Sequence, residues 1–217
     1  MKVAVLGTGM VGTTIGSKLI QLGHEVKLGS RTNNNEKAIE WATANGEKAT
    51  QGTFAEASAF GEIIFNCTKG EISLEVLKLA EEKNLSSKIL IDISNPLDFS
   101  KGMPPTLTIC NDNSLGEEIQ KAYPTLKVVK TLNTIWCGLM VNPAMISEAD
   151  HNVFVSGNDA EAKTKAKEIL ISFGWLEHNI LDLGDITTAR GTEMYLPLWV
   201  RIMGATNSGA FNIKIKN

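Results

Sequence analysis

Cysteine and histidine are scarce in this chain of 217 residues, three of each, and neither type is arranged for chemistry. Cys67, Cys110 and Cys137 are odd in number and form no CxxC or Cys/His spacing, which argues against a disulfide scaffold and against a zinc site. Buried small thiols account for them. His24, His151 and His178 stand far apart beside predicted strands, so surface or core roles outweigh metal ligation. No apolar run approaches the roughly 20 residues needed to cross a bilayer. Met1-Lys2 leads straight into a strand pattern rather than the apolar region and cleavage site of a secretory signal. A cytoplasmic protein with no membrane partner is expected. The formal net charge is only -3 and the lysines are scattered, so nucleic acid is not an expected partner either. No His/Asp pair for acid-base work stands out, which directs attention to chemistry carried by a cofactor.

What is present is a soluble globular composition, 43% hydrophobic and 21% charged, enough for a sizeable core in one domain. The chain is organised around Val3-Ala4-Val5-Leu6-Gly7-Thr8-Gly9-Met10-Val11-Gly12, an apolar run that ends in a glycine-rich turn with a helix directly after it. Gly7 permits the tight turn, Gly9 lets backbone amides approach a pyrophosphate, and Gly12 allows close packing of helix on strand. The free amides and dipole at the helix N-terminus then favour the anion. Strand, turn and helix together make this a dinucleotide site rather than an ordinary turn, with Gly7 to Gly12 as its binding residues.

A helix with Val11, Ile15, Leu19 and Ile20 on one face is predicted next, ended by Gly23, and Glu25 to Leu28 forms the second strand. A carboxylate at the end of that strand would hold the ribose of NAD, yet none occurs before Glu36. Ser30 and Arg31 stand there instead. A serine hydroxyl and a planar guanidinium are donors for a 2′-phosphate, so the expected cofactor is NADP(H); Lys37, one turn on, is a further phosphate candidate.

Strands are predicted at Ala49 to Gly52, Glu62 to Cys67, Lys88 to Ile93, Lys127 to Leu132, Asn152 to Ser156 and Trp175 to Leu183, alternating with helices such as Ile72 to Lys83. In an open α/β sheet ligands bind at the carboxyl ends of strands. Cys67, Thr68 and Lys69 are therefore candidates for the ribose and nicotinamide, Asn95 and Pro96 for support of the ring, and Asn133, Thr134 and Cys137 for orientation of the carboxamide. The segment Asp98 to Pro105 reads as an irregular rim loop. The apolar loop after Gly138, with Met140, Met145 and Ile146, suits either a core loop or the wall of a pocket for a flat ring. Ser114 and Glu117 have capping-box spacing and open a helix that Tyr123-Pro124 closes.

Residues 184–203 read as one apolar helix kinked at Pro197, which lacks an N–H and crowds the Glu193 carbonyl. Arg190 and Glu193 are at pairing distance on it, either as an internal ion pair or as a polar contact at the cofactor pocket. Phe211 to Lys216 alternates like an edge strand. The expected architecture is α/β, a doubly wound, mostly parallel sheet with helices on both faces, in which residues 186–217 form a C-terminal helix and edge strand at a homodimer interface.

Gly7-Thr8-Gly9-Met10-Val11-Gly12, Gly29-Ser30-Arg31, Lys130 to Thr134, Arg190 to Pro197 and Phe211 to Ile215 together resemble the NADPH-dependent reductases of the deazaflavin (factor 420) oxidoreductase family. The first motif is common to many Rossmann-type enzymes; the serine-arginine pair and the tail are more specific. The resemblance extends to the cytosolic domain of metalloreductases that pass hydride from NADPH to flavin. It implies a Rossmann-like homodimer in which NADP(H) meets a flavin or deazaflavin, a small-molecule redox acceptor, in an apolar cleft. Thr68-Lys69 and Asn133-Thr134 stand where the archaeal deazaflavin enzymes carry Pro-Trp and His-Thr, so the nicotinamide end differs. Two other readings suit the same residues. One is a redox-sensing NADP(H) module without turnover, which would change its partner binding with the NADPH/NADP ratio; the other is a reductase of an imine or carbonyl, which would ordinarily carry a long helical domain after the last strand.

Overall fold

A computed structural model of the chain describes residues 1–216. In order, it contains β1 (Lys2–Leu6), α1 (Met10–Gln21), β2 (Glu25–Ser30), α2 (Glu36–Asn45), β3 (Ala49–Thr53), α3 (Phe54–Phe60), β4 (Ile63–Asn66), α4 (Ser73–Ala80), α5 (Glu82–Leu85) and β5 (Ile89–Asp92). There follow β6 (Leu97–Asp98), β7 (Thr106–Leu107), α6 (Leu115–Ala122), β8 (Lys127–Thr131), α7 (Cys137–Val141), β9 (Val153–Gly157), α8 (Ala160–Phe173), β10 (Ile180–Gly184), α9 (Ala189–Met194) and α10 (Leu196–Thr206). Eight strands form one sheet in the order β10-β9-β8-β5-β4-β1-β2-β3, parallel throughout except for the antiparallel pair of β8 and β9. The expected doubly wound α/β fold is present.

The apolar run Val3 to Leu6 forms the interior strand because both of its faces are covered, and all four residues are fully buried. Val3 and Val5 join the core beneath α1, α7 and α8, while Ala4 and Leu6 join the core beneath α3, α4 and α6. Each such valine or leucine side chain contributes about 1.5–3 kcal/mol by leaving water. The strand order reverses between β1 and β4. At that switch the two connections diverge to opposite faces and open a crevice at the carboxyl ends of the strands.

The helix signals hold where a cap defines them. Ser114 accepts the Glu117 N–H at the start of α6, and Gly174, at φ +109°, ends α8. Other expectations are corrected. The helix expected over Ile72 to Lys83 breaks at Glu81, which has φ +67°, and Leu79 faces solvent while Leu77 is buried. The rim loop expected at Asp98 to Pro105 is present from residue 99 on, bracketed by the antiparallel pair of β6 and β7, two residues each and too short to leave a periodic pattern. The last strand begins at Ile180 rather than Trp175, because a 3₁₀ turn at Glu177–Asn179 intervenes. The tail divides into α9 and α10 around Tyr195, with Pro197 in the first turn of α10.

Phe211 to Lys216 is not an edge strand. Asn152 N–H donates to the Ile213 carbonyl at 2.8 Å, but the neighbouring bonds are made by side chains. Asn212 Nδ2 donates to the Asn152 carbonyl at 2.8 Å, and Ile215 N–H donates to Asn152 Oδ1 at 2.7 Å. The segment is thus a strap stapled by asparagine amides rather than a ladder. Arg190 and Glu193 also pair elsewhere: Arg190 Nε donates to Glu117 Oε2 at 2.8 Å on α6, and Glu193 turns inward to Lys130.

Candidate functional site

Two cavities lie along the crevice and share Cys67, Thr68 and Lys69, the residues that follow β4. The first, about 380 Å³, is bounded by Gly7, Thr8, Gly9, Ser30, Arg31 and Asn35. The glycine turn fits a nucleotide for steric reasons. Gly7 sits at φ +115°, and a Cβ there would lie 2.8 Å from the Cys67 carbonyl oxygen; a Cβ at Gly12 would lie 2.1 Å from the Gly7 carbonyl oxygen. Either side chain would push α1 or β4 away. A Cβ at Gly9 would instead meet no atom within 4 Å, because it faces open space beside the start of α1. Gly9 caps that helix without any side-chain bond, so the first amides of α1 are left to an outside acceptor. Steric closure on one side and free amides on the other are what a pyrophosphate requires.

At the far end of this cavity Arg31 is exposed and lies 3.5 Å from Glu75 of α4, across the mouth of the cleft. Ser30 is buried, and its hydroxyl donates to the Thr32 carbonyl at 2.5 Å. Its proton is therefore used in shaping the loop, and the exposed Arg31 guanidinium is the charged donor at this end of the cavity. Lys37 lies on the exposed first turn of α2 and lines neither cavity, and Met10 points outward while Val11 beside it lines the second cavity.

That second cavity, about 230 Å³, has an apolar wall that includes Ile93, Leu97, Phe99, Ile135, Met140 and Trp199. Asn95 and Asn133 close its floor: Asn95 Nδ2 donates to the Asn133 carbonyl at 2.8 Å, and Asn133 Nδ2 donates to Asn95 Oδ1 at 2.9 Å. The strand ends of β5 and β8 are thus clasped together. Trp199 stacks on Phe211, with centroids 5.4 Å apart, which ties the wall to the C-terminal strap.

Besides Lys37 and Met10, three sequence candidates fall outside this geometry. Thr134 is buried and lines a separate cavity of about 260 Å³ with Phe154, Thr192 and Tyr195. Cys137 is buried at the start of α7 within the core. Pro96 acts as a turn, its carbonyl accepting the Thr108 N–H at 2.9 Å. Leu132, at φ +61°, bends the chain after β8, so that Asn133 faces one cavity and Thr134 another.

Beneath both cavities lies a buried charge cluster that the sequence reading did not single out. Lys130 Nζ is 2.6 Å from Asp92 Oδ2 and 2.8 Å from Glu193 Oε1, and it donates to the Ser94 carbonyl at 2.8 Å. Burial by itself would lower the Lys130 pKa, but Asp92 and Glu193 outweigh it and hold the ammonium above the ordinary lysine range. Burial, with the Asp92 charge adding to it, pushes the Cys67 thiol up, so it is a poor nucleophile. One signal for the cluster was available: Lys130 interrupts an apolar strand that is covered on both faces.

The family model described as NADP oxidoreductase, coenzyme F420-dependent, matches residues 2–96. A crystal structure of a candidate F420-dependent NADP-reductase from Arthrobacter sp. FB24 is 47% identical, covers the whole of both chains and superimposes with a TM-score of 0.94. The metalloreductase STEAP3 of Rattus norvegicus is 28% identical over 91% of this chain, which spans 38% of that protein's length. An imine reductase from Myxococcus stipitatus, solved with NADP+, shares the fold with a TM-score of 0.67 at 15% identity, over 95% of this chain and 63% of its own. Among the described residues no group of His, Cys, Asp and Glu is placed to hold a metal, and no helix is long and apolar enough to cross a membrane.

Proposed function

The chain belongs to the F420-dependent NADP oxidoreductase family and is an NADP-dependent oxidoreductase, and from that premise we propose that it transfers hydride between NADP(H) and a flavin or deazaflavin-like acceptor. The observation that carries this reading is the junction of the two cavities at Cys67-Thr68-Lys69, where a glycine-lined cleft runs into an apolar slot of about 230 Å³. The nicotinamide supplies the hydride chemistry when bound. The chain supplies binding, orientation and exclusion of water.

The amides at the start of α1 take the pyrophosphate, and Arg31 takes the 2′-phosphate. Thr68 stands at the junction and contacts the nicotinamide riboside half. The Asn95–Asn133 clasp holds the floor rigid, and Ile93, Met140 and Trp199 keep the slot dry. Low water content matters because it strengthens the polar contacts that would orient the two rings.

Residues 186–217 serve in this reading as an appendage at the interface of a homodimer. On α10 only Leu196 is buried, and Leu198 is 56% exposed on a helix whose one charged residue is Arg201. All three cysteines are free thiols, which suits a reducing compartment, and we infer the cytoplasm.

The test is NADPH oxidation by the purified protein against a panel of flavins, a deazaflavin and quinones. Turnover with a flat-ring acceptor supports the proposal. Tight NADPH binding without oxidation by any of them overturns the catalytic part.

A further inference from the structure

The polar side chains beneath the cavity junction form a hydrogen-bond network whose directions are fixed by Asp92, the acceptor on which Lys130 and Asn66 converge. It begins at Lys130, whose ammonium can only donate and lies 2.6 Å from Asp92 Oδ2. A carboxylate can only accept. Asp92 Oδ1 therefore takes the Ser94 hydroxyl at 2.6 Å and the Asn66 side-chain NH₂ at 2.9 Å. That settles which end of the Asn66 amide faces Asp92, and the amide oxygen points the other way. There it accepts the Thr68 hydroxyl at 2.6 Å and the Thr68 N–H at 3.3 Å.

Thr68 has one hydroxyl proton, and Asn66 takes it. The competing partner is Ser73, whose Oγ is 3.1 Å from Thr68 Oγ1. Were the Thr68 proton given to Ser73, two oxygens 2.6 Å apart would face each other with no proton between them. Ser73 also has an acceptor for its own proton, the Lys69 carbonyl at 3.2 Å. Thr68 lines both cavities, and its Oγ1 therefore has lone pairs and no proton left for a ligand.

We infer that Lys130, Asp92 and Asn66 are positioning residues that make Thr68 an acceptor only, so that the ligand group recognised there is a hydrogen-bond donor of the nicotinamide riboside, either its carboxamide NH₂ or a ribose hydroxyl. This rests on the NADP(H) reading above. It assigns a recognition role to the polarity of the threonine and traces that polarity to a lysine two strands away. A serine at position 68 would preserve the arrangement; an isosteric valine would remove it.

The experiment compares dissociation constants of three ligands, measured by calorimetry. They are NADP+, its 3-acetylpyridine analogue, in which a methyl replaces the carboxamide NH₂, and an analogue lacking a nicotinamide-ribose hydroxyl. Wild type should bind NADP+ about fivefold more tightly than one of the two analogues, the usual worth of one neutral hydrogen bond. The analogue that loses affinity names the group. Thr68→Val should reduce that ratio to about one, and Thr68→Ser should restore it. Asn66→Ala frees the hydroxyl to rotate and should reduce the ratio while leaving Thr68 in place. If Asn66→Ala does not fold, the Val and Ser variants decide alone.

The same ratio in Thr68→Val as in wild type overturns the inference, as does wild-type binding of both analogues as tight as NADP+. A wild type that binds no NADP+ at all overturns the cofactor reading together with it. An unchanged ratio on top of tight NADP+ binding removes only the role of Thr68.

Discussion

Lys130 Nζ and Glu193 Oε1 lie 2.8 Å apart with both side chains out of solvent, and this contact joins the middle of the sheet to the C-terminal helices. Glu193 also accepts the N–H groups of Leu115 at 2.7 Å and Gly116 at 3.1 Å, the first amides of α6. One carboxylate thus caps a helix, pairs with a lysine on β8 and anchors α9. Leu196 and Trp199, which line the apolar cavity, follow within two turns of helix. The wall of the slot is fixed to the sheet through this ion pair.

Lys130→Met should destabilise the protein by about 3–5 kcal/mol, because it leaves two buried carboxylates without their cation. Glu193→Gln keeps an acceptor for Lys130 and should cost less, about 1–3 kcal/mol. Urea unfolding of the variants measures both. The pH dependence has a definite sign. Since Asp92 and Glu193 overcome desolvation and raise the Lys130 pKa, the stabilisation is complete below the unfolded lysine value, near about 10.4, and is lost as pH rises through the folded value. Wild type should therefore show an alkaline decline in stability that Lys130→Met lacks. A parallel alkaline decline in both would assign it to other groups.

Arg31→Ala separates binding from stability. The Arg31–Glu75 pair is 3.5 Å apart and largely exposed, so its loss should change folding stability by less than about 1 kcal/mol. NADPH affinity should fall by about 10- to 100-fold through loss of charge-assisted bonds to the 2′-phosphate, and NADH affinity by less than about twofold. Equal losses for the two nucleotides, measured by fluorescence titration, would sink the specificity argument.

The glycines of the cradle should divide in the same way. Gly12→Ala places a methyl 2.1 Å from the Gly7 carbonyl oxygen, against backbone that cannot rotate away, and should cost both folding and nucleotide binding. Gly9→Ala meets nothing within 4 Å and should change stability by no more than about 1 kcal/mol. Its methyl nevertheless occupies the approach to the helix amides, so NADPH affinity should fall. Thermal melts beside binding titrations check the contrast; full affinity in Gly9→Ala would mean that the phosphate does not approach there.

The parts of the fold legible in the sequence were those with local causes. Val3 to Leu6 reads as a two-face strand from its apolar run, Ser114 as a cap from its spacing to Glu117, and Gly23 as a helix stop. The place of Arg31 at the end of the first cavity is legible from its position after β2. What was not legible depends on distant partners. Arg190 and Glu193 are three apart on a helix, yet one meets Glu117 and the other Lys130, choices made by the packing of α9 on α6 and β8. Asn133 and Thr134 are adjacent but face different cavities because Leu132 turns the chain with positive φ, which nothing in a leucine announces. The strap at Phe211 to Lys216 alternates like a strand, but Asn152 and Asn212 replace the ladder with side-chain bonds.

Leu198→Glu tests the proposed dimer and its link to the acceptor slot. Leu198 is 56% exposed, and Met194, one turn earlier, is 39% exposed, while Trp199 beside them lines the cavity. If a second copy covers this face, a buried carboxylate there is strongly unfavourable and the variant should sediment as a monomer. With Leu198 at the surface of a free monomer, the same change should alter stability by less than about 0.5 kcal/mol, so loss of the dimer would not be confused with unfolding. Because Trp199 is the next residue, releasing α10 from its partner should raise the KM for the acceptor and leave the NADPH dissociation constant near its wild-type value. A wild type that sediments as a monomer, or a variant that remains a dimer, would remove α10 from the interface and leave the apolar slot to be closed by the strap alone.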